Sequence, residues 1–454
     1  MDDVVRKIAD TPSVVLDKSI QASNHFMKSV EKDSRVKRAK NYWKSLGPGL
    51  TTGAADDDPS GIATYSQTGA RYGFQLIWLA GFTFPLMAVV QEMCARIGLV
   101  TGRGLAGTIR LYYPKRVLYL CAFLLFVANS LNIGADLGAM AKGVQLIFPQ
   151  ANFGLLIIGL TVITLGLQIF IDYQMYAKYL KWLALVLFSY IFSAFSVHIN
   201  WGDVLHQAIT PSITFSKEQI ILICAILGTT ISPYLFFWQT SQEVEEAILH
   251  GKTSIRLRET TSKEEIKRMR TDVWSGMFFS NAVMFFIIAT CAATLHMQGI
   301  VNISTTEEAA RALRPIAGDY AYFLFTIGVI GTGLLAIPIL AGSASYAISE
   351  SLKWKHGLYR SLKQAPSFYG IIIISTFIGL GMNFVGIDPI KALIYSAIAN
   401  GLIAPIILYF IVSISSNKSI MGEWVNKDFV AAVGWYVTII MTIAGAAAIY
   451  SLFF

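Results

Sequence analysis

Apolar windows recur from about residue 45 to the C-terminus, separated by short polar and mostly basic segments. Many exceed the roughly 20 residues that a helix needs to cross a hydrocarbon core. Strands of a membrane barrel would read as segments of about ten alternating residues, and that alternation is absent. Lipid leaves a helical bundle as the remaining way to satisfy the backbone. The windows predict an all-α membrane protein with eleven transmembrane helices, at about 45–69, 73–97, 116–146, 150–171, 178–198, 219–244, 273–297, 317–348, 366–385, 388–413 and 430–452.

The pattern breaks in two of these spans. In the first, Gly47-Pro48-Gly49 opens the helix and Asp56-Asp57-Asp58-Pro59-Ser60-Gly61 interrupts it. In the sixth, Gly228-Thr229-Thr230-Ile231-Ser232-Pro233-Tyr234 interrupts an otherwise apolar run. Pro removes an amide donor and clashes with the preceding turn. Opened backbone at membrane depth is tolerated where it faces a cavity or ion site inside protein. The two breaks lie five spans apart, which predicts a five-plus-five inverted repeat, and discontinuous helices at matching positions point to a midplane substrate site in secondary transporters. The expected organisation is a cytoplasmic arm at 1–44, repeats at 45–198 and 199–413, and a cytoplasmic loop with a terminal helix at 414–454.

Composition agrees with a chain that lives in lipid. Of 454 residues 54% are hydrophobic and 14% charged, against about one quarter charged in soluble domains. The net charge of +8 raises the question of nucleic acid, which would need a basic face on a folded domain. No segment between the windows is long enough for one. With the N-terminus cytoplasmic, thirty of the 36 Lys and Arg fall in the arm and in the segments 96–116, 172–181, 251–270, 353–363 and 418–427. That bias, with an odd number of spans, places the N-terminus inside and the C-terminus outside a cell membrane. Cys94, Cys121, Cys224 and Cys291 all lie in predicted spans without a CxxC pair, so they read as small hydrophobes in helix packing. The polar N-terminal segment is not a signal peptide, which needs an apolar core near Met1.

Three consecutive aspartates inside a span are costly unless they face water or a cation. Neighbours on a helix lie about 100° apart, so the three cannot share one direction. Asp58, directly before Pro59, is the first choice for ion contact. Asp57 and Asp56 hold bound water, line the approach, or cap freed amides. Unwinding of the sixth span frees carbonyls, and Thr229, Thr230 and Ser232 add hydroxyls. With Asp58 this is an all-oxygen set suited to a hard dication, with no His, Cys or Met in either break.

The run from Gly47 to Phe74 and the run from Gly228 to Glu245 resemble the first-span and sixth-span signatures of the natural resistance-associated macrophage protein family of divalent-metal transporters. The resemblance implies eleven spans, a leucine-transporter-like fold and alternating access to a midplane metal site. That family's usual Asp-Pro-Gly-Asn reads Asp58-Pro59-Ser60-Gly61 here, so its asparagine ligand position is Gly61. Its usual Met-Pro-His reads Ser232-Pro233-Tyr234, and its sixth-span carbonyl ligand falls at Thr229. These departures look like the family-related prokaryotic branch that carries Mg²⁺. Losing sulfur removes the preference for soft metals, and losing the Asn side chain is expected to enlarge the site for a partly hydrated ion. Tyr, with an unperturbed pKa near 10, is a poor proton carrier beside His.

Asp136 stands where the family has an acidic residue of its proton route; it serves there, attracts cations, or pairs with a nearby helix. Asn129 and Asn132 share its helical face. Asn400 is either an outer ligand, as the family implies, or a packing residue. Glu92 and Arg96, with Gln239, Gln242 and Glu243, form an inner gate, or Glu92 and Arg96 are an ordinary i,i+4 pair. His198 and His296 read as interfacial. The glycines of TGRGLAG (Gly102, Gly104, Gly107) lack the strand and lysine of a nucleotide loop. The expected function is therefore a carrier, not an enzyme: Mg²⁺ uptake without proton coupling, the alternative being a proton-coupled Mn²⁺ or broad divalent-metal transporter. No organic cofactor or obligate protein partner is expected; the partners are the cation and the bilayer.

Overall fold

The computed structural model describes residues 46–171, 188–303 and 306–453, and the described residues form helices without a strand. The first span is two helices, α1 (Pro48–Asp56) and α2 (Pro59–Tyr72). After it come α3 (Trp78–Thr101), the short α4 (Leu105–Tyr112), α5 (Lys115–Ile147) and α6 (Phe153–Phe170). Then follow α7 (Phe188–Ser196) and α8 (Trp201–Ile209). The sixth span is again split, into α9 (Lys217–Thr230) and α10 (Pro233–Leu249). The chain continues through α11 (Ile255–Arg258), α12 (Lys263–Thr294), α13 (Thr306–Arg311), α14 (Arg314–Ala317) and α15 (Ala321–Ser351). It ends with α16 (Pro366–Met382), α17 (Pro389–Ser415), α18 (Lys418–Met421) and α19 (Asp428–Phe453).

Among the described residues, eight helices are long and apolar enough to cross a membrane when α9 and α10 are taken together, and α16 is a shorter apolar helix. Residues 172–187, which include the first half of the predicted fifth span (178–198), and the arm at 1–44 lie outside the described residues. Both splits occur at the predicted prolines. Each proline becomes the first residue of the following helix, where its missing N–H would have had no partner and its fixed φ suits the helix.

The broken helices are held inside the bundle. α12 runs along α1, α2 and α3; α9 packs on α17 and α19; α10 packs on α3 and α15; α5 is enclosed by α15, α16 and α17. The α1–α12 contact is backbone on backbone: a Cβ on Gly53 would come within 2.3 Å of the Gly276 carbonyl oxygen, so only glycine fits. At the periphery, α6 and α19 expose Leu155, Val162, Phe170, Phe429 and Ile443, the apolar face expected toward lipid.

Two differences from the hydropathy reading have simple causes. α12 starts at Lys263, well before the apolar window at 273. A capping box between Ser262 and Glu265 nucleates it in the polar segment. The connecting segments also carry short helices (α4, α8, α11, α13, α14, α18), too brief to show in a span-length window.

Candidate metal centre

Asp58 sits in extended backbone (φ −67°, ψ 171°) as the N-cap of α2. Its Oδ1 accepts the Gly61 amide at 2.8 Å and the Ser60 hydroxyl at 2.6 Å. Its Oδ2 accepts the Asn132 amide from α5 at 3.0 Å. The Tyr234 hydroxyl lies 3.4 Å from Oδ2 and donates to the Ala55 carbonyl at 3.1 Å. The carboxylate thus caps the broken helix with one oxygen and faces α5 and α10 with the other. The Ser60 hydroxyl also stands 3.4 Å from the Thr229 hydroxyl, so the two breaks meet here.

Gly61 does not enlarge this site as expected. A Cβ there would lie 3.2 Å from the Asp56 carbonyl oxygen and 3.4 Å from the Thr229 hydroxyl. The lost side chain lets α2 close on α9 instead of leaving a void. On the other side of the contact Gly228 abuts α17: its Cβ would fall 2.1 Å from the Ala397 carbonyl oxygen.

The hydroxyls of the second break are distributed unevenly. Ser232 donates back to the Gly228 and Thr229 carbonyls, at 2.8 and 2.6 Å, satisfying the opened end of α9. Thr230 donates to Ile226 at 2.8 Å and neighbours the Tyr65 hydroxyl and the Met284 sulfur. Of the candidates Thr229, Thr230 and Ser232, it is Thr229 that reaches the Asp58 cluster through its side chain, at Ser60.

Several buried polar atoms near the breaks have no hydrogen-bond partner among the described residues. They are Oδ1 of Asp56, Oδ1 of Asp57, both carboxylate oxygens of Asp136 and both amide atoms of Asn400. Asp56 receives one bond, from Ser280 at 2.5 Å. Unpaired buried polar atoms are costly and rare in native proteins, so oxygens left over in this number suit a cation or its water. Among the described residues no three His, Cys, Asp or Glu side chains converge on one point; neutral oxygens would complete any cation shell.

Two residues of the cluster escape a sequence reading. Asn132 bonds Asp58, and its own Oδ1 accepts the Ser396 hydroxyl of α17 at 2.6 Å. Ser396 and Asn400 are one turn apart, so Asn400 shares the face turned to this network. The shared face of Asn129, Asn132 and Asp136 was the available signal, but Asn129 instead bonds Leu340 and Ser343 on α15.

On the side of the breaks toward α1, Thr52 donates to Gln239 at 2.5 Å and Gln239 to Glu243 at 2.9 Å. Gln242 meets the Tyr346 hydroxyl at 3.4 Å. Glu92 does not pair chiefly with Arg96, which is 3.9 Å away. It receives Arg270 and Trp274 of α12 at 2.8 Å each, while Arg96 bonds Asn426. At the opposite end, the Gln67 side chain of α2 accepts the Ile303 amide at 2.8 Å, and a ring nitrogen of His296 lies 2.8 Å from the Ala70 carbonyl oxygen.

Residues 49–451 match the family model described as natural resistance-associated macrophage protein-like. The divalent metal cation transporter MntH of Klebsiella pneumoniae (strain 342) is 24% identical over 424 residues, covering 91% of this chain and 95% of its own. The crystal structure of the Eremococcus coleocola manganese transporter superposes with a TM-score of 0.68 at 16% identity, covering 89% of this chain and 86% of that one. The structural comparison speaks for the shared fold, and the family match spans both broken helices and nearly every other described helix. The chain belongs to the natural resistance-associated macrophage protein family, the divalent-metal transporters that its two broken-helix motifs resemble, and it is a transporter and not an enzyme.

Proposed function

We propose that this chain moves a hard divalent cation, Mg²⁺ foremost, by alternating access around Asp58, without moving protons in exchange. The observation that carries this reading is the set of groups joined to Asp58: Ser60, Asn132 and Tyr234, with Thr229 beside Ser60, offer oxygen and amide groups, and none of these four is a thioether or an imidazole. Hard dications take oxygen, and Mg²⁺ keeps much of its water. The unpaired oxygens of Asp57 and Asn400 would then hold that water, with Thr229 the sixth-span ligand. Ser232 and Thr230 would support the opened backbone, and Gly61 would bring α2 against Thr229. Tyr234 in place of a protonatable imidazole supports uptake driven by concentration and membrane potential. The potential supplies about 2.3 kcal/mol per charge per 100 mV, hence about 4.6 kcal/mol for a dication. Residues 45–198 and 199–413 would be the two repeats that rock against each other, with the N-terminus cytoplasmic and the C-terminus outside.

The second reading is a proton-coupled Mn²⁺ or broad divalent-metal transporter; its choice of metal, though not its coupling, is favoured by the names of the relatives, which speak of divalent metal cations and manganese. Purified protein in sealed liposomes separates the two. Mg²⁺, Mn²⁺ and Ca²⁺ uptake would be followed by internal dyes with internal pH recorded at the same time. We expect Mg²⁺ to accumulate, to compete with Mn²⁺, and to leave internal pH flat under an inside-negative potential. Mn²⁺ uptake that acidifies the lumen and ignores excess Mg²⁺ would replace the first reading with the second.

A further inference from the structure

Away from the metal centre, a cavity of about 520 Å³ opens between the end of α3, the start of α4, the last turns of α10 and the turn after α15. Its size falls within the range of small-molecule sites. Six cationic side chains line it: Arg103, Arg110, Arg258, Lys353, Lys355 and Arg360. Among the described residues two carboxylates, Glu245 and Glu350, join them in the lining, and both are engaged. Glu350 accepts the Gly107 amide at 2.8 Å and lies 3.7 Å from His356. Glu245 accepts the Leu358 amide at 2.6 Å and the Tyr346 hydroxyl. The N-terminus of α4, in the glycine-rich segment, is therefore already closed by Glu350.

The cations are not neutralised to the same degree. Arg103 pairs with Glu259 at 2.9 Å. Arg110 and Arg258 donate to backbone carbonyls, of Glu350 and of Gly102 and Thr253, which orient a guanidinium without cancelling its charge. Arg360 stacks on the Tyr359 ring. Lys353 carries a second signal. It stands at the end of α15 with φ +62°, a conformation that favours glycine. A helix C-terminus welcomes a cation but does not require one in left-handed backbone. The strained lysine is accounted for if its charge is needed in the cavity.

We propose that this cavity binds an organic phosphate, its phosphate groups held by Arg110, Arg258 and the Lys353–Lys355–Arg360 turn, and its ring or glycerol portion against Trp354 and Tyr359. Arginine and lysine on three separate segments converge as phosphate recognition requires. The same chemistry comes from a free nucleotide or from the headgroup of an anionic phospholipid. Either occupant would tie α10, the second half of the sixth span, to the end of α15. This inference does not depend on which metal is carried.

The test uses the full chain, purified in neutral detergent with EDTA so that divalent ions play no part. One arm titrates ATP by calorimetry. The other reconstitutes the protein with phosphatidylcholine alone or with phosphatidylglycerol added, and reads retained lipid by native mass spectrometry. We expect saturable ATP binding, or selective retention of phosphatidylglycerol, weakened by salt. The triple variant Lys353→Gly, Lys355→Gln, Arg360→Gln should weaken it by about tenfold or more, as loss of several phosphate contacts implies. Lys353→Gly alone should keep or raise the melting temperature while weakening binding, which separates charge from folding. Lys115→Gln with Arg116→Gln, outside the cavity, should change nothing. Binding in the first arm assigns a soluble phosphate and in the second a lipid. No binding in either arm, or binding that the triple variant leaves intact, overturns the proposal.

Discussion

Asp58 has one role that the structure shows and one that is proposed, and a single substitution can part them. As N-cap it accepts the Gly61 amide and the Ser60 hydroxyl through Oδ1; as a charge it would hold the cation. Asparagine caps about as well as aspartate and fills the same space. Asp58→Asn should therefore leave the melting temperature within a few degrees of the parent. Uptake should fall by at least about tenfold, since bonds to charged groups are worth about 1.5–3 kcal/mol. Liposome uptake and a thermal melt on the same preparation check this; a variant that transports normally would reduce Asp58 to its capping role. The place of Asp58 at the helix break was legible from sequence, because the proline after it stops one helix and starts the next. Its partners were not. Asn132 lies 74 residues away and Ser396 a further 264 from Asn132, and no local spacing encodes which faces of α5 and α17 meet at α2. Gly61 misled for a related reason: a missing side chain reads as space, whereas here a neighbouring helix took it.

At the scale of elements, the two broken helices were the most legible part of the fold, since Pro59 and Pro233 each begin a new helix in the structure. What anchors them was hidden. The N-terminus of α1 is buried beside α12, and its Gly49 and Leu50 amides are taken by the two carboxylate oxygens of Asp272, at 2.7 and 3.1 Å. A helix start carries unsatisfied amides and partial positive charge. An acid from another helix, 223 residues away from Gly49 in the chain, serves as its cap. Asp272→Ala should orphan both amides at a cost of about 1–3 kcal/mol, read as a lower melting temperature. Asp272→Asn, with one carbonyl oxygen left, should recover part of the loss. Equal melting temperatures for the parent and the alanine variant would show that the contact does not anchor α1. The capping box at Ser262 illustrates the opposite case: it was visible as Ser-x-x-Glu in the chain, yet a hydropathy window passes over it because the helix it starts is polar for its first turns.

At the scale of the whole molecule, orientation follows from charge and packing cannot supply it. A bundle turned upside down would bury the same side chains, so the structure is indifferent to which end faces the cytoplasm. The bias of Lys and Arg toward alternate connecting segments breaks that tie. In the orientation proposed above, the α15–α16 turn, with Lys353, Lys355, Arg360 and Lys363, would face the inside and the α16–α17 turn the outside. The molecule is well suited to a direct check, because Cys94, Cys121, Cys224 and Cys291 are all buried and should be silent toward a membrane-impermeant maleimide. Cysteines introduced singly by Lys363→Cys and Val385→Cys would lie at exposed positions in those two turns. In intact cells the reagent should label the Val385→Cys chain at once and the Lys363→Cys chain only after the membrane is permeabilised. The reverse pattern would invert the protein, placing the phosphate cavity and the Gln239–Glu243 pair on the outer face. An inside-negative potential would then still draw cations inward, but from the end of the site nearer α1.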